Sequence, residues 1–245
     1  MSETKFSTEI VELPSKGKLY PEGSALRSGK VEMRYMSAAD EDLLTNQNYI
    51  EKGVVIDKLL QSLIVDKNID YSQLLIGDKN ALLVAARILG YGKLYKFDYA
   101  GEEVEFDLTQ IQDKPLHEVV ENATENRFTF KLPVSEKVVE FKLLTHGDEQ
   151  LVEQELKGLK KLGREVVPEL STRLKYMILS VDGNEDRKVC REFAENMLAR
   201  DAREFRKYVA EIQPDVDMRF YPDNGPAAGV SVPITINFFY PDFEA

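Results

Sequence analysis

Nucleophile–base pairs, split acid pairs, metal clusters and phosphate cradles each leave a residue pattern that can be searched for. The sequence holds two histidines, His117 in KPLHEVV and His146 in LLTHGDEQ, and one cysteine, Cys190 in RKVCREF. A Cys–His dyad needs one of these imidazoles beside Cys190 in space, to draw off the thiol proton. Cys190 stands at helical spacing with Phe193 and Met197, which is the setting of a small core residue. His146 sits just ahead of a helical pattern, a common structural place for a histidine. The patterns GxxxxGK[ST], GxGxxG and GxSxG do not occur. The segment DGNEDRK, Asp182–Lys188, has some likeness to a calcium loop but lacks the alternating acids and the closing glutamate, so it reads as a helix–helix turn. With 43 acidic residues, many carboxylate pairs can be drawn on paper and none stands out. The expectation is a protein without a catalytic centre and without a cofactor.

The C-terminal stretch has the outline of a zinc ribbon: a strand, a tight turn at Tyr221-Pro222-Asp223-Asn224-Gly225, and a return strand. A ribbon knuckle needs two thiolates in C-x-x-C spacing to fill two tetrahedral positions. Tyr221 and Asn224 stand where those cysteines would be, and no Cys or His follows. No metal is expected, so Phe220, Phe238, Phe239 and Tyr240 must anchor the hairpin by packing.

The charge balance excludes other classes. The formal net charge is −11, whereas a chain that grips nucleic acid through its phosphates carries a basic surplus. The basic run KGLKKLGR, Lys157–Arg164, lies among Glu149, Glu153, Glu155 and Glu165 and reads as a solvated helix face. No stretch approaches the roughly 20 apolar residues of a membrane span. The opening MSETKFSTEI has neither an apolar signal core nor an Arg-rich amphipathic pattern, so no export or organelle address is expected. A single cysteine gives no disulfide framework and fits a reducing compartment. No nucleic acid, membrane or small-molecule substrate is expected as a partner.

The elements that must position these residues follow from periodicity. Residues 10–29 carry Pro14, Gly17, Pro21, Gly23 and Gly29, and lead into Val31-Glu32-Met33-Arg34-Tyr35, which alternates with period two. This predicts an extended arm ending in a strand. Ser37 followed by Asp40 and Glu41 marks a helix start. Ile56, Leu59, Leu60, Leu63 and Ile64 recur at helical spacing; Leu82, Leu83, Ala86 and Leu89 do so in a second helix, apolar all round and therefore central, which Gly90 and Gly92 end. Residues 94–99, 104–108, 128–132 and 138–143 alternate as four strands, in two hairpins expected to make one small antiparallel sheet. From Asp148 to Ile212 the pattern is helical, with Leu151, Glu155, Leu156, Leu159 and Leu162 in one stripe and Leu170, Leu174, Met177, Ile178 and Val181 in another. Met218 and Phe220 face Val232, Ile234, Ile236 and Phe238 in a terminal hairpin.

Four segments carry a family resemblance: ELPSKGKLYPEGS at Glu12–Ser24, GKVEMRYMSAADEDLLTNQNYIEKG at Gly29–Gly53, DKLLQSLI at Asp57–Ile64, and the end QPDVDMRFYPDNG…VPITINFFYPD. Together they resemble the baseplate hub assembly proteins of T4-type contractile-tailed bacteriophages. The likeness covers both ends and much of the first third. It implies work in tail assembly through contacts with other baseplate and tail hub proteins. The place of action would be the host cytoplasm during assembly or the virion tail. Many relatives keep a C-P-x-C-G knuckle near the C-terminus, and this chain departs from it at Tyr221 and Asn224.

The expected fold is α+β and mostly helical. Residues 1–36 form an extended N-terminal arm and strand. Residues 37–213 form the core, with helices over 38–92, a sheet over 93–144 and helices over 146–212. Residues 214–245 form a hairpin like a zinc ribbon without its cysteines. Leu13, Pro14, Leu19 and Tyr20 on the arm, and Phe238, Phe239 and Tyr240 at the end, are the candidate partner-binding residues. For the arm two readings stand open, packing on a neighbour or wrapping its own domain; the terminal aromatics share that ambiguity. A hub component, a transient tail-assembly chaperone and an enzyme with an acidic site are the three functional readings.

Overall fold

Prolines and glycines leave residues 7–30 no α-helix, only a single 3-10 turn at Ala25–Ser28, and the chain instead folds back on itself. The computed structural model describes residues 7–162, 167–222, 226, 228–234 and 238–239. Strand β1 (Thr8–Glu12) pairs antiparallel with β2 (Lys30–Arg34). Between them the chain reverses at Lys16 (φ 52°) and Gly17 (φ 76°). A Cβ on Gly17 would lie 2.4 Å from the Arg27 carbonyl oxygen, so glycine alone fits there. Leu13, Leu19, Tyr20, Leu26, Val31 and Met33 sink into the same apolar cluster as the central helices. The candidate contact residues Leu13, Pro14, Leu19 and Tyr20 are therefore buried by the chain's own fold, and the expectation of them as partner-facing anchors is corrected. Their apolar area had a closer surface to cover.

Helix α1 (Ala38–Leu44) opens on a capping box between Ser37 and Asp40, as the acid spacing predicts. It is followed by α2 (Gln47–Lys52), α3 (Val55–Leu63) and α4 (Ile76–Tyr91). Leu59, Leu60 and Leu63 form the buried stripe of α3. Helix α4 buries Ala81, Leu82, Leu83, Val84 and Ala86 around most of its circumference, as expected of a central helix, with its polar residues Asp78, Lys79, Asn80 and Arg87 held in specific bonds. It passes through Gly90 and ends at Gly92, the second of the two glycines expected to stop it.

Strands β3 (Leu94–Tyr99) and β4 (Glu102–Asp107) form a hairpin whose two turn residues, Ala100 and Gly101, both have positive φ. That matches the twist of the flanking strands. After a short α5 (Glu118–Glu121), β5 (Phe128–Lys131) and β6 (Val138–Phe141) pair in turn. The two hairpins do not share a sheet. The third strand beside β6 is β7 (Ile178–Val181), drawn from the stretch whose spacing reads as helix. Two β-branched residues and the unpaired edge of β6 outweigh the helical spacing there.

Helix α6 (His146–Lys161) has a Thr145–Asp148 capping box. Its inner face carries His146, Asp148 and Val152; Leu151 and Leu162 of the expected stripe face outward, Leu162 at 80% exposure. Helices α7 (Glu169–Met177), α8 (Arg187–Asn196) and α9 (Ala199–Ile212) complete the body. Buried Asp201 at the start of α9 accepts the backbone N–H groups of Val134 (2.8 Å) and Ser135 (3.0 Å), tying the β5–β6 turn down.

The final pair, β8 (Arg219–Phe220) and β9 (Val230–Ser231), is shorter than the alternation suggests, and Ile236 lies outside the described residues. Phe220 packs on the rings of Phe97 and Tyr99, each 5.1 Å away, and Phe238 on Tyr95 at 5.1 Å. Phe238 and Phe239 are buried, so they close the fold and are not exposed anchors; Tyr240 lies outside the described residues. No helix among the described residues is long and apolar enough to cross a membrane.

Candidate functional site

Two polar clusters stand out against this apolar frame. The first explains the arm. Asp78, in the first turn of α4, accepts from the Ser15 backbone N–H (2.9 Å), the Ser15 hydroxyl (2.6 Å) and the Tyr20 hydroxyl (2.5 Å). The Tyr20 oxygen in turn accepts the Leu75 N–H at 3.0 Å. Burial pushes the Asp78 carboxyl above the usual carboxylate range, against the lowering effect of the Ser15 and Tyr20 bonds. Burial and the neighbouring Asp78 charge likewise push the Tyr20 phenol up. Arg27 adds a clamp from the other side, donating to the carbonyls of Lys18 (2.6 Å), Tyr20 (2.7 Å) and Thr124 (3.2 Å). The Ser, Gly and Tyr of LPSKGKLYP are thus the residues that lock the arm to the body. Sequence reasoning missed Asp78; its signal was the one acid of α4, in the first turn of a helix with a long apolar run.

A second polar lock follows β2. Arg34 grips Asp40 with two bonds of 2.7 and 2.8 Å, while the Ser37 N–H (2.8 Å) and the Ser62 hydroxyl (2.6 Å) donate to the same carboxylate. Burial raises the Asp40 carboxyl, and these bonds, Arg34 foremost, outweigh it and hold the group well below its ordinary value.

The second cluster lines a cleft of about 670 Å³ between the α2–α3 junction, the start of α4 and α6. Its floor brings together Asp57, Lys79 and His146. Lys79 Nζ lies 2.6 Å from Asp57 Oδ1 and 3.2 Å from His146 Nδ1, and the Tyr71 hydroxyl donates to Asp57 Oδ1 at 3.0 Å. An ammonium can only donate, so Nδ1 accepts and the ring proton sits on Nε2. That Nε2 is 3.2 Å from Asp57 Oδ2 but poorly aligned for a hydrogen bond. Burial raises the Asp57 carboxyl, and its contacts with His146 and Lys79 overcome this and bring it down to about 2. Higher on the wall, Arg173 pairs with Glu149 and Lys157 with Glu153. The described lining holds no serine, threonine or cysteine, and both ring nitrogens of His146 face charged neighbours. The arrangement can clasp three helices together and can bind a small polar group at its mouth.

The remaining sequence candidates are scattered. Cys190 is buried, and its Sγ faces the carbonyls of Leu179 (3.6 Å) and Asn184 (3.5 Å); burial pushes its thiol up. His117 caps α5, its Nδ1 accepting the Val119 N–H at 3.2 Å. Asp182 and Gly183 form the turn between β7 and the α8 cap, and the Asp186 side chain accepts the N–H groups that begin α8. Tyr221 is exposed, and Asn224 lies outside the described residues. Among the described residues no three His, Cys, Asp or Glu side chains gather as a metal ligand set. No protein-family model, curated protein or solved structure matches the chain.

Proposed function

We propose that this chain acts by protein–protein contact in the assembly of a contractile phage-tail baseplate, as a hub component or as a factor that helps the hub form. The observation that carries this reading is where the resembling residues fall. Ser15, Gly17 and Tyr20 of the first segment, and Arg34, Ser37 and Asp40 of the second, are polar or conformational residues held in specific bonds. Such positions tolerate few alternatives, unlike apolar helix positions, where many sequences serve. A likeness concentrated there argues for a shared fold more strongly than the same number of matched leucines. The same reading takes the C-terminal hairpin to be held by the packing of Phe220 and Phe238.

The test is quantitative mass spectrometry of purified tails and of hub subassemblies from infected cells. A hub component is present in both at fixed stoichiometry. A chaperone is present in the subassembly and missing from the particle. Absence from both contradicts the reading.

One specific observation favours a second reading, an enzyme with an acidic site: the cleft floored by Asp57, Lys79 and His146. His146→Ala separates the two. If the cluster is a clasp, the variant unfolds more readily and all activity loss follows that instability. If it is a catalytic site, the fold survives and a turnover disappears.

A further inference from the structure

Among the described residues, the β1–β2 sheet has one edge closed and one open. On the far side of β2, the Val65 N–H donates to the Glu32 carbonyl at 3.0 Å and Met33 bridges Ile64, so that edge is covered. On the near side, the pairs Ser7/Tyr35 and Leu13/Gly29 are hydrogen-bonded, at 3.0 and 2.8 Å. In an antiparallel ladder bonded pairs alternate with unbonded ones. With Thr8 opposite Arg34 and Ile10 opposite Glu32, residues 9 and 11 bond to β2. The N–H and C=O groups of Thr8, Ile10 and Glu12 point away from it. None of these six groups has a hydrogen-bond partner among the described residues. Ile10 adds an apolar side chain that is 66% exposed beside this edge.

An open ladder of directional groups fits an extended chain and not a helix. Charge selects which one. Glu9 accepts only the Tyr35 hydroxyl (3.3 Å) and Glu32 only the Thr8 hydroxyl (2.7 Å) among the described residues, so both carboxylates lack a cation. Glu12 is paired with Lys16 (3.6 Å) and Lys30 (3.4 Å), but a second copy of this chain would still crowd two sets of the unpaired Glu9 and Glu32 onto one short sheet, at −11 net charge per copy. We propose that the outer edge of β1 receives an extended segment of a partner protein, alternating basic and apolar residues, as an added strand. The inference deepens the protein-binding reading and rests on it for the existence of a partner, but its test needs no phage component.

The test uses the full ¹⁵N-labelled chain and a Lys-Val alternating heptapeptide, with the Glu-Val heptapeptide as control. The Lys-Val peptide should slow amide exchange at Thr8, Ile10 and Glu12 and leave Glu9 and Val11, already bonded to β2, unchanged. The Glu-Val peptide should have no effect. Ile10→Pro removes an outward N–H and no ladder bond, and should weaken binding at least about tenfold. Should that variant lose its fold, Ile10→Lys keeps the N–H, places a cation where the peptide's lysines approach, and should weaken binding as well. The proposal is overturned if exchange at the three amides does not slow, or if Ile10→Lys binds as well as wild type. It is also overturned if the same amides are protected without peptide in a concentration-dependent dimer, which would give the edge to a second copy. Failure on any of these counts leaves the tail-assembly reading to its own particle test.

Discussion

At the scale of single residues, what holds the arm is a buried carboxylate with three donors. Tyr20→Phe removes one donor to Asp78 and strands the Leu75 N–H, so it should cost about 1–2 kcal/mol in urea unfolding. Asp78→Ala leaves Ser15 and Tyr20 both without their acceptor and should cost about 3 kcal/mol. Asp57 contributes to the acid limb of stability, alongside Asp40 and other lowered carboxylates. Its carboxyl is lowered from an ordinary 3.8 to about 2 in the folded state, so the unfolded chain takes up that proton first as pH falls. The stabilisation is complete above about pH 4 and is lost as pH falls toward 2. Asp57→Asn should be less stable at pH 7 and should show a flatter decline between pH 4 and 2 in a series of urea titrations. The Ser37–Asp40 start was legible in the sequence because capping is decided within four residues. The Asp78 lock was not, because Ser15 and Tyr20 lie 63 and 58 positions away and nothing local marks the pairing.

Among the elements, local periodicity told the strong pieces correctly and the partners wrongly. The apolar helix α4 and the hairpin β3–β4 are written in short-range pattern. Strand β7 is not, since Leu174, Met177, Ile178 and Val181 keep helical spacing up to the point where β6 offers an open edge. The outward turn of Leu151 and Leu162 on α6 has the same origin: several leucines allow more than one inner face, and packing chose the one with Val152. Two glycines separate close approach from open space. A Cβ on Gly77 would lie 1.9 Å from the Pro214 carbonyl oxygen, where the chain after α9 crosses α4. Gly158 in α6 has no neighbour within 4 Å. Gly77→Ala should lower stability by about 1–3 kcal/mol or more, and Gly158→Ala should raise it by about 0.5–1 kcal/mol, both read from thermal midpoints.

Over the whole molecule, one apolar cluster runs from Leu13 and Tyr20 through α3 and α4 to Phe220 and Phe238. The described residues of arm, body and tail therefore share one apolar core. Truncation through Tyr20 should unfold the protein broadly instead of giving a folded but inert chain, and circular dichroism will show which occurs. The sequence could not decide this, because an apolar arm looks the same whether it covers its own core or a neighbour's. With the described part of the arm buried, the outer edge of β1 and the charged exterior are the surfaces proposed for gripping a partner. The central claim is that these surfaces serve the building of a baseplate. It is tested most directly by deleting the chain's gene from the phage proposed to carry it and counting assembled tails by electron microscopy. The account predicts that baseplates and tails fail while heads still form; normal tails at normal yield would contradict it.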